Sequence, residues 1–519
     1  MNKNRNIFTA LLVFTLLCIC TASAKTGENG DVVTRNYFYY GLSGYQLSLI
    51  EGFISADFPA GTSLKQILTD QASLRSRTRL AQALLFRNNP GDLVNAVQIL
   101  KWILKNQHKD VKSVNYGMWK TNVGNDRLDQ NWREFIGCDL IIIYHYYKDI
   151  LPADVVSEIR LGLIRAARGA LKRDVGADYT NISIMSAFLM NYTGNEFKLN
   201  ELKTGGMKKA RDIYALFQRH HTFSEYNSPT YYGVSMIGLA LWRELASEEM
   251  KNMGLELESA LWAAIGSNYN PKLKNMAGPF FRGYGMDMKK YYSITGIWIA
   301  IAVGEEKLAP LPMGKGAKQD ELSNISPILH LGLTIPREVL DQLKVFTPGQ
   351  LIDRFIPNKY TGDTLKHVTA VVNLNWMMGG LWGNRRAWNQ IKEGTIHWNN
   401  ASGETEWLLV PGDGKTNVTI SNTSMKIYCN GQKGTDFDVY VYARELSDKN
   451  FSEKLWKFPN MELTINTGLK RTFLKMTDSG LFDKECALSE DYPAVMKITF
   501  QIPPTWHNDV PLIEIIPSK

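Results

Sequence analysis

The sequence predicts a multidomain α+β protein, an α/α toroid (an incomplete barrel of helical hairpins) followed by an antiparallel β-sandwich. Three observations predict it. From residue 63 to about 302, apolar residues recur at helical spacing in segments cut by short polar turns, which reads as successive antiparallel hairpins. After about residue 345 the texture becomes short β-branched runs separated by Gly, Asn, Asp and Pro clusters. And 519 residues are enough for two or more domains. The expected division is a signal peptide at 1–24, a toroid at 25–345 and a β domain at 346–519.

The first residues carry a basic start (Lys3, Arg5), an apolar core at 7–20 too short for a comfortable membrane span, and the small-residue cleavage site Ala22-Ser23-Ala24. Export to the periplasm or medium, with cleavage near Ala24, is the expectation. The residues before Cys18 and Cys20 are too large for a lipid-anchor site, and no later stretch is apolar enough to span a membrane. The formal charge is +8; cleavage removes two cations and leaves +6, a mild positive balance suited to an acidic polymer. Nucleic acid is not indicated, because no basic block or reader motif is present. Past the leader only Cys138, Cys429 and Cys486 remain, without a CxxC; Cys138 reads as a buried thiol, and Cys429 and Cys486 could pair.

In chain order, helical periodicity covers 64–86, 93–107, 127–147, 154–171, 181–190, 200–220, 230–245, 249–267 and 288–303. Residues 309–324, with Pro310, Pro312, Gly314 and Gly316, read as a linker or surface loop. Strand texture follows at 367–374, 395–398, 406–410, 416–420, 424–428, 437–443, 461–465, 471–474 and 494–502.

The stretch richest in chemistry is 220–244. His220 and His221 precede a polar, aromatic loop with Glu225, Asn227, Ser228, Pro229, Tyr231 and Tyr232, and an apolar helix starts at Gly233. Asn-Ser-Pro favours a turn, and Ser or Thr beside proline commonly starts a helix, so these side chains should sit at a helix mouth. A second cluster, 278–287, sets Arg282 and Tyr284 between glycines, ahead of another apolar helix. In a toroid such mouths converge on one end of the cleft, so the two loops could meet. A third, Asn115 to Lys120 and Asn131 to Glu134, offers Trp119 and Arg133 for sugar stacking and hydrogen bonding. Asn181 stands before a further apolar run. Asp287 and Glu225 could help bind calcium, but nothing in the spacing requires it, and no HExxH, EF-hand or GxSxG pattern exists; no cofactor is expected.

Phe223-Ser224-Glu225 through Asn227-Ser228-Pro229 to Tyr231-Tyr232 resembles the loop preceding a toroid helix in the heparinase II/III-like lyases. Asp178 to Ser183 is similar to the N-N-H loop of toroid alginate lyases, although no histidine follows Asn181 here. The resemblance extends at the level of architecture to the toroid lyases that cut rhamnosyl-glucuronate caps. It implies an exported polysaccharide lyase acting on a uronate glycan, the L-rhamnose-α-1,4-D-glucuronate linkage of arabinogalactan-type glycans being the first guess. Such chemistry takes a proton from C5 of the uronate and expels the C4 oxygen; it needs neutralisation of the carboxylate, a base and an acid. The expected roles are substrate binding for Asn181, Asn227, Glu225, Arg282, Trp119 and Arg133, and base or acid for Tyr231, Tyr232, Tyr284, His220 or His221. A toroid glycoside hydrolase using Asp178, Glu225 or Asp287, and a glycan-binding protein without catalysis, are the alternatives.

Overall fold

A computed structural model describes residues 27–29, 31–124, 128–349, 351–357, 365–477 and 494–518. The expected signal peptide and Cys486 lie outside the described residues. Cys138 and Cys429 are buried free thiols.

The helices are α1 (Gly44–Asp57), α2 (Leu64–Ile67), α3 (Leu74–Arg87), α4 (Asp92–Lys105), α5 (Trp132–Tyr147), α6 (Ala153–Arg173), α7 (Thr180–Glu196), α8 (Asn200–His220), α9 (Tyr231–Leu245), α10 (Glu248–Asn268), α11 (Ile294–Val303), α12 (Ile325–Leu331) and α13 (Arg337–Lys344). They form a toroid of hairpins: α3 packs on α4, α5 on α6, α7 on α8 and α9 on α10. The odd members also touch in sequence, α3 to α5, α5 to α7, α7 to α9 and α9 to α11, and so make the inner ring. Composition explains which ring each helix joins. In α7 every residue from Thr180 to Gly194 is buried, and all ten residues of α11 are buried. A helix apolar on all sides cannot face water. Outer helix α8 instead buries a stripe at helical spacing, Leu202, Gly206, Met207, Lys209, Ala210, Ile213 and Phe217, and leaves the rest exposed.

Because hairpins alternate direction, the inner helices run parallel and their N-terminal mouths share one end of the toroid. The loops entering α5, α7, α9 and α11 therefore gather there. The chain breaks between α2 and α3, where one helix was expected over 64–86: Ser73 caps α3 by accepting from the Ser76 N–H at 3.2 Å, a competing local bond that apolar periodicity does not register. Of the expected linker or loop, residues 309–318 are a loop and Gln319–Asn324 form a 3-10 helix, and both lie within the toroid region, since α12 and α13 still follow.

The strands are β1 (Gly27–Asn29), β2 (Val32–Arg35), β3 (Tyr269–Asn270), β4 (Asn275–Met276), β5 (Leu333–Pro336), β6 (Ile352–Pro357), β7 (Leu365–Val372), β8 (Trp376–Trp382), β9 (Lys392–Asn399), β10 (Thr405–Pro411), β11 (Thr416–Ile420), β12 (Met425–Cys429), β13 (Asp436–Tyr442), β14 (Leu455–Phe458), β15 (Met461–Asn466), β16 (Arg471–Met476), β17 (Val495–Gln501) and β18 (Pro511–Ser518). An eight-stranded antiparallel sheet runs β16-β17-β13-β10-β9-β8-β7-β6, and a five-stranded sheet, β11-β12-β18-β15-β14, packs on one face of it. The other face lies on the toroid. Strand β10 shows the arrangement: Leu408 and Val410 enter the sandwich core, whereas Trp407 and Leu409 join the toroid core. Period-two alternation thus puts apolar side chains on both faces because both are covered.

The large sheet also grips the 278–287 loop. Phe280 and Lys392 exchange backbone hydrogen bonds at 3.1 and 3.0 Å, and the Gly283 N–H donates to the Gln390 carbonyl at 2.8 Å. Gly379 of β8 lies against the same loop: a Cβ there would stand 1.7 Å from the Gly278 carbonyl oxygen. Gly379→Ala is therefore expected to push the loop off the sheet, costing about 1–3 kcal/mol in stability and lowering activity more than this loss explains. Denaturant midpoints measured alongside rates check this.

Candidate active site

The loops entering α7, α9 and α11 meet at one cluster. Glu225, 3% exposed, accepts from both the backbone N–H and the side-chain amide of Asn181, at 3.1 and 2.8 Å. The carboxylate thereby caps the N-terminus of α7 from another loop, where free N–H groups and the helix dipole favour an anion. Its other oxygen accepts from Arg282 Nη1 at 2.5 Å. Arg282 Nη2 donates to the Tyr231 hydroxyl at 2.5 Å, and its guanidinium lies 3.5 Å from the Tyr231 ring centroid. The Tyr231 and Tyr284 hydroxyls are 2.7 Å apart. The chain Asn181–Glu225–Arg282–Tyr231–Tyr284 runs from a buried anchor to two half-exposed phenols.

Local sequence explains each position. Ser228 Oγ accepts from the Tyr231 N–H at 2.9 Å, so the Asn-Ser-Pro turn opens α9 with Tyr231 as its first residue. Asn227 and Arg282 both have left-handed backbone, φ 52° and 60°. That conformation is uncommon for arginine and costs about 1 kcal/mol or more. The loop holds it from both sides: the Phe281 N–H donates to the Tyr226 carbonyl at 3.1 Å, the Ser228 hydroxyl donates to the Arg282 carbonyl at 3.1 Å, and Gly283 is bound to the sheet. Strain retained at the residue that touches both Glu225 and Tyr231 marks a position over-determined by its surroundings.

The electrostatics follow from this geometry. Burial pushes the Tyr231 phenol above its ordinary value, with the Arg282 guanidinium pulling the other way. Burial works against charge on Arg282, but Glu225 and Tyr231 outweigh it and raise the guanidinium. Two further cations border the phenols. Lys318 Nζ is 5.3 Å from the Tyr284 ring centroid. Arg75 of α3 is within electrostatic reach of Tyr231; it lies 3.6 Å from Glu321 and 5.6 Å from the Trp132 ring centroid. Nothing in the sequence distinguishes Arg75 from an ordinary helix-surface arginine, and Lys318 stands in a loop read only as a linker.

Several expected site residues lie elsewhere. Trp119 is fully buried in the toroid core and cannot stack on a sugar. Arg133 is also fully buried, and its guanidinium donates to the Tyr116 and Val114 carbonyls at 3.0 and 3.2 Å. Tyr232 is 1% exposed and packs in the core; being next to Tyr231 on a helix turns it to another side. Asn227 spends its amide on the Ala277 and Pro279 carbonyls at 2.6 and 3.1 Å, holding the second loop rather than a ligand. Asn181, fully buried, likewise binds Glu225. His220 and His221 end α8, His221 as an exposed left-handed cap beside Phe217, and no hydrogen bond joins either to the cluster. Asp287 is buried, accepts from the Lys289 N–H at 3.0 Å, and belongs to a different network from Glu225.

Residues 62–329, more than half of the chain, match the family described as Domain of unknown function (DUF8769). The chain belongs to this family. The DUF8769 region spans α2 into α12, so Arg75, Asn181, Glu225, Tyr231, Arg282, Tyr284 and Lys318 all fall inside it, and the two sheets that follow fall outside. No curated protein matches the sequence. Among solved structures, heparinase III superposes at 8% identity over 92% of this chain and 85% of that one, with a TM-score of 0.44. The chondroitin AC lyase of Streptomyces coelicolor A3, in complex with chondroitin sulphate, does so at 9% identity over 92% and 79%, with a TM-score of 0.45. A Paenibacillus xanthan lyase gives 9% identity, 91% and 56% coverage and a TM-score of 0.43. At such scores the chemistry must be read from this DUF8769 chain's own residues.

Beside the cluster, a second network stiffens the mouth of α5. Arg173 Nη2 donates to the Asn131 side chain at 2.8 Å, Asn131 donates to the Tyr179 hydroxyl at 3.0 Å, and Arg173 pairs with Glu134 at 3.4 Å. Glu134 is fully buried, and burial pushes its carboxyl from 4.5 up to about 7, with Arg173 and Arg133 opposing. Below about pH 4.5 the group is protonated folded or unfolded, so its contribution is complete there. Between that and about 7 only the folded state keeps the proton, so stability falls as pH rises, by about 3 kcal/mol in total. Unfolding midpoints taken at about pH 5 and about pH 8 should show a larger drop in the wild type than in Glu134→Gln.

Proposed function

We propose that this protein is an exported polysaccharide lyase that cleaves a uronic-acid-containing glycan by β-elimination. The observation that carries the reading is the Arg282–Tyr231–Tyr284 chain. Arginine can only donate, so Tyr231 accepts from it, and the two phenols then share one hydrogen bond and leave one O–H free. If that proton leaves, the negative charge on Tyr231 is met by Arg282 and by the Tyr284 hydroxyl. Tyr231 can thus take the C5 proton as a phenolate, and Tyr284 can deliver a proton to the departing C4 oxygen. Arg75 and Lys318 supply the positive surroundings that an enolate-like uronate needs.

Glu225 and Asn181 support this reading as positioning residues: they hold Arg282, and Arg282 orients and charges Tyr231. A hydrolase would need two carboxyls facing one sugar. Of the three carboxylates named for that role, Glu225 has both oxygens engaged and Asp287 is buried, which leaves partly exposed Asp178 without a carboxyl partner and disfavours a hydrolase. Among uronate glycans, the L-rhamnose-α-1,4-D-glucuronate linkage of arabinogalactan side chains heads the candidates, on family resemblance. Mass spectrometry of the new chain ends tests the reaction class. Elimination leaves an end lighter by one water than hydrolysis does, and saturated ends only would reject the proposal.

A further inference from the structure

A cavity of about 470 Å³ opens where the toroid meets the β domain, and four lysines line it. Lys274 precedes β4, Lys289 and Lys290 follow the Arg282 loop, and Lys315 belongs to the loop before α12. The β9–β10 turn contributes Gly403 and Glu404. Among the described residues lining the cavity, Glu404 is the single carboxylate, and it is already engaged by Arg444 and, at 3.6 Å, by Lys290. Of the nearby acids outside the lining, Asp287 is buried under Lys289 and Glu306 acts on Lys274 from a distance. Lys289 donates to the Gly403 carbonyl at 2.7 Å. Burial pushes both the Lys274 and Lys289 ammoniums down; at Lys289 the Asp287 and Glu404 carboxylates oppose this and the Lys274 and Lys290 charges add to it, and at Lys274 Glu306 opposes it.

Partly desolvated like charges around an open cavity are unfavourable until an anion enters. One loop runs from the cavity to the phenols. Ala317 lines the cavity, and the next residue is Lys318, whose ammonium stands over the Tyr284 ring. A glycan following that loop would set one sugar at Tyr231 and Tyr284 and a neighbouring charged sugar at the cavity. Ammonium groups are point charges without a fixed fork, so the site accepts any compact oxyanion.

We propose that this lysine-lined cavity is a subsite for a second anionic group of the glycan, a carboxylate or a sulfate ester on a sugar neighbouring the one held at Tyr231. The proposal rests on reading the Tyr231 cluster as the glycan site. Such a subsite favours chains charged on successive sugars over a glycan bearing a single uronate, and so ranks alginate- or heparin-type chains above the rhamnose-glucuronate cap that family resemblance alone puts first.

Calorimetric titration tests it, in the Tyr231→Phe background so that probes stay intact. The probes are a heparin-type tetrasaccharide, an oligomannuronate tetrasaccharide and a neutral oligosaccharide capped by one glucuronate. Lys274→Gln/Lys289→Gln/Lys315→Gln should weaken both multiply charged probes about tenfold and flatten their salt dependence, leaving the singly charged one unchanged. Lys315→Gln alone, an exposed position at which the fold is safe, should show part of the loss. Loss confined to the heparin-type probe assigns the cavity to sulfate; loss with both probes assigns it to carboxylate as well. Unchanged binding of both charged probes in both variants overturns the proposal. Unsaturated product from the active enzyme alongside that null result would leave the lyase reading standing without the subsite. Lysine-dependent binding with no unsaturated product on any probe would do the reverse.

Discussion

Arg282→Ala is expected to cost both fold and chemistry. The guanidinium is the partner of a carboxylate that is almost wholly buried, and removing it strands Glu225 with only the Asn181 donors. Breaking a buried pair from one side typically costs about 3–5 kcal/mol, because the remaining charge is uncompensated. Activity should fall by a further factor of about 10² to 10³, the usual effect of deleting one preorganised donor in a site. The two losses separate in a double-mutant cycle. Glu225→Gln in the Arg282→Ala background should recover much of the stability, since the stranded charge is gone, and none of the activity. Recovery of activity would show that Arg282 acts through the fold alone.

Tyr231→Phe should give the complementary result. The ring keeps its packing and its contact with the guanidinium, and only the Arg282 Nη2 and Tyr284 hydrogen bonds are lost, so stability should fall by about 1–3 kcal/mol, less than in Arg282→Ala. The rate should fall about 10³-fold, within the range for a general acid–base group. Because burial holds the phenol above its ordinary value, the phenolate fraction of the wild type rises with pH across the alkaline range. The rate should rise with it, about tenfold per pH unit, and Tyr231→Phe should lose that slope. Tyr232→Phe serves as the control: Tyr232 is buried in the core, and substitution there should leave the slope in place.

Most of the fold was legible because its periods are long and repeated. The hairpins of the toroid and the alternation of the β domain are both set by burial, and burial leaves an apolar pattern in the sequence. Strands β6, β8, β14 and β18 of the β domain escaped that reading, as did the short strands β1 to β5 in the toroid part. Strand β8, Trp376–Trp382, carries Gly379 under the Gly278 loop and Gly380 against Val418 of β11, and glycine is a poor strand signal.

At the site, residue types were legible and roles were not. The loops around Tyr231 and Arg282 do meet, because both enter inner helices from the same end. But a buried asparagine that holds a loop and one that holds a ligand look alike in sequence, and Asn227 proved to be the former. Trp119 and Arg133 read as sugar-binding because Trp beside Arg and Asn suits a glycan, yet the same residues satisfy a core: Arg133 is surrounded by carbonyls that only the fold supplies. Arg75 and Lys318 come from segments distant in sequence, and long-range convergence leaves no local pattern.

The most direct test is ultraviolet absorbance during incubation of the protein with uronate glycans: rhamnose-glucuronate-capped arabinogalactan, alginate, ulvan and heparin-type chains. β-Elimination creates a conjugated double bond in the uronate. The expected result is a rising signal on at least one glycan with the wild type and a flat trace with Tyr231→Phe. New reducing ends without any absorbance, or a signal undiminished in Tyr231→Phe, would contradict a lyase built on the Arg282–Tyr231–Tyr284 chain.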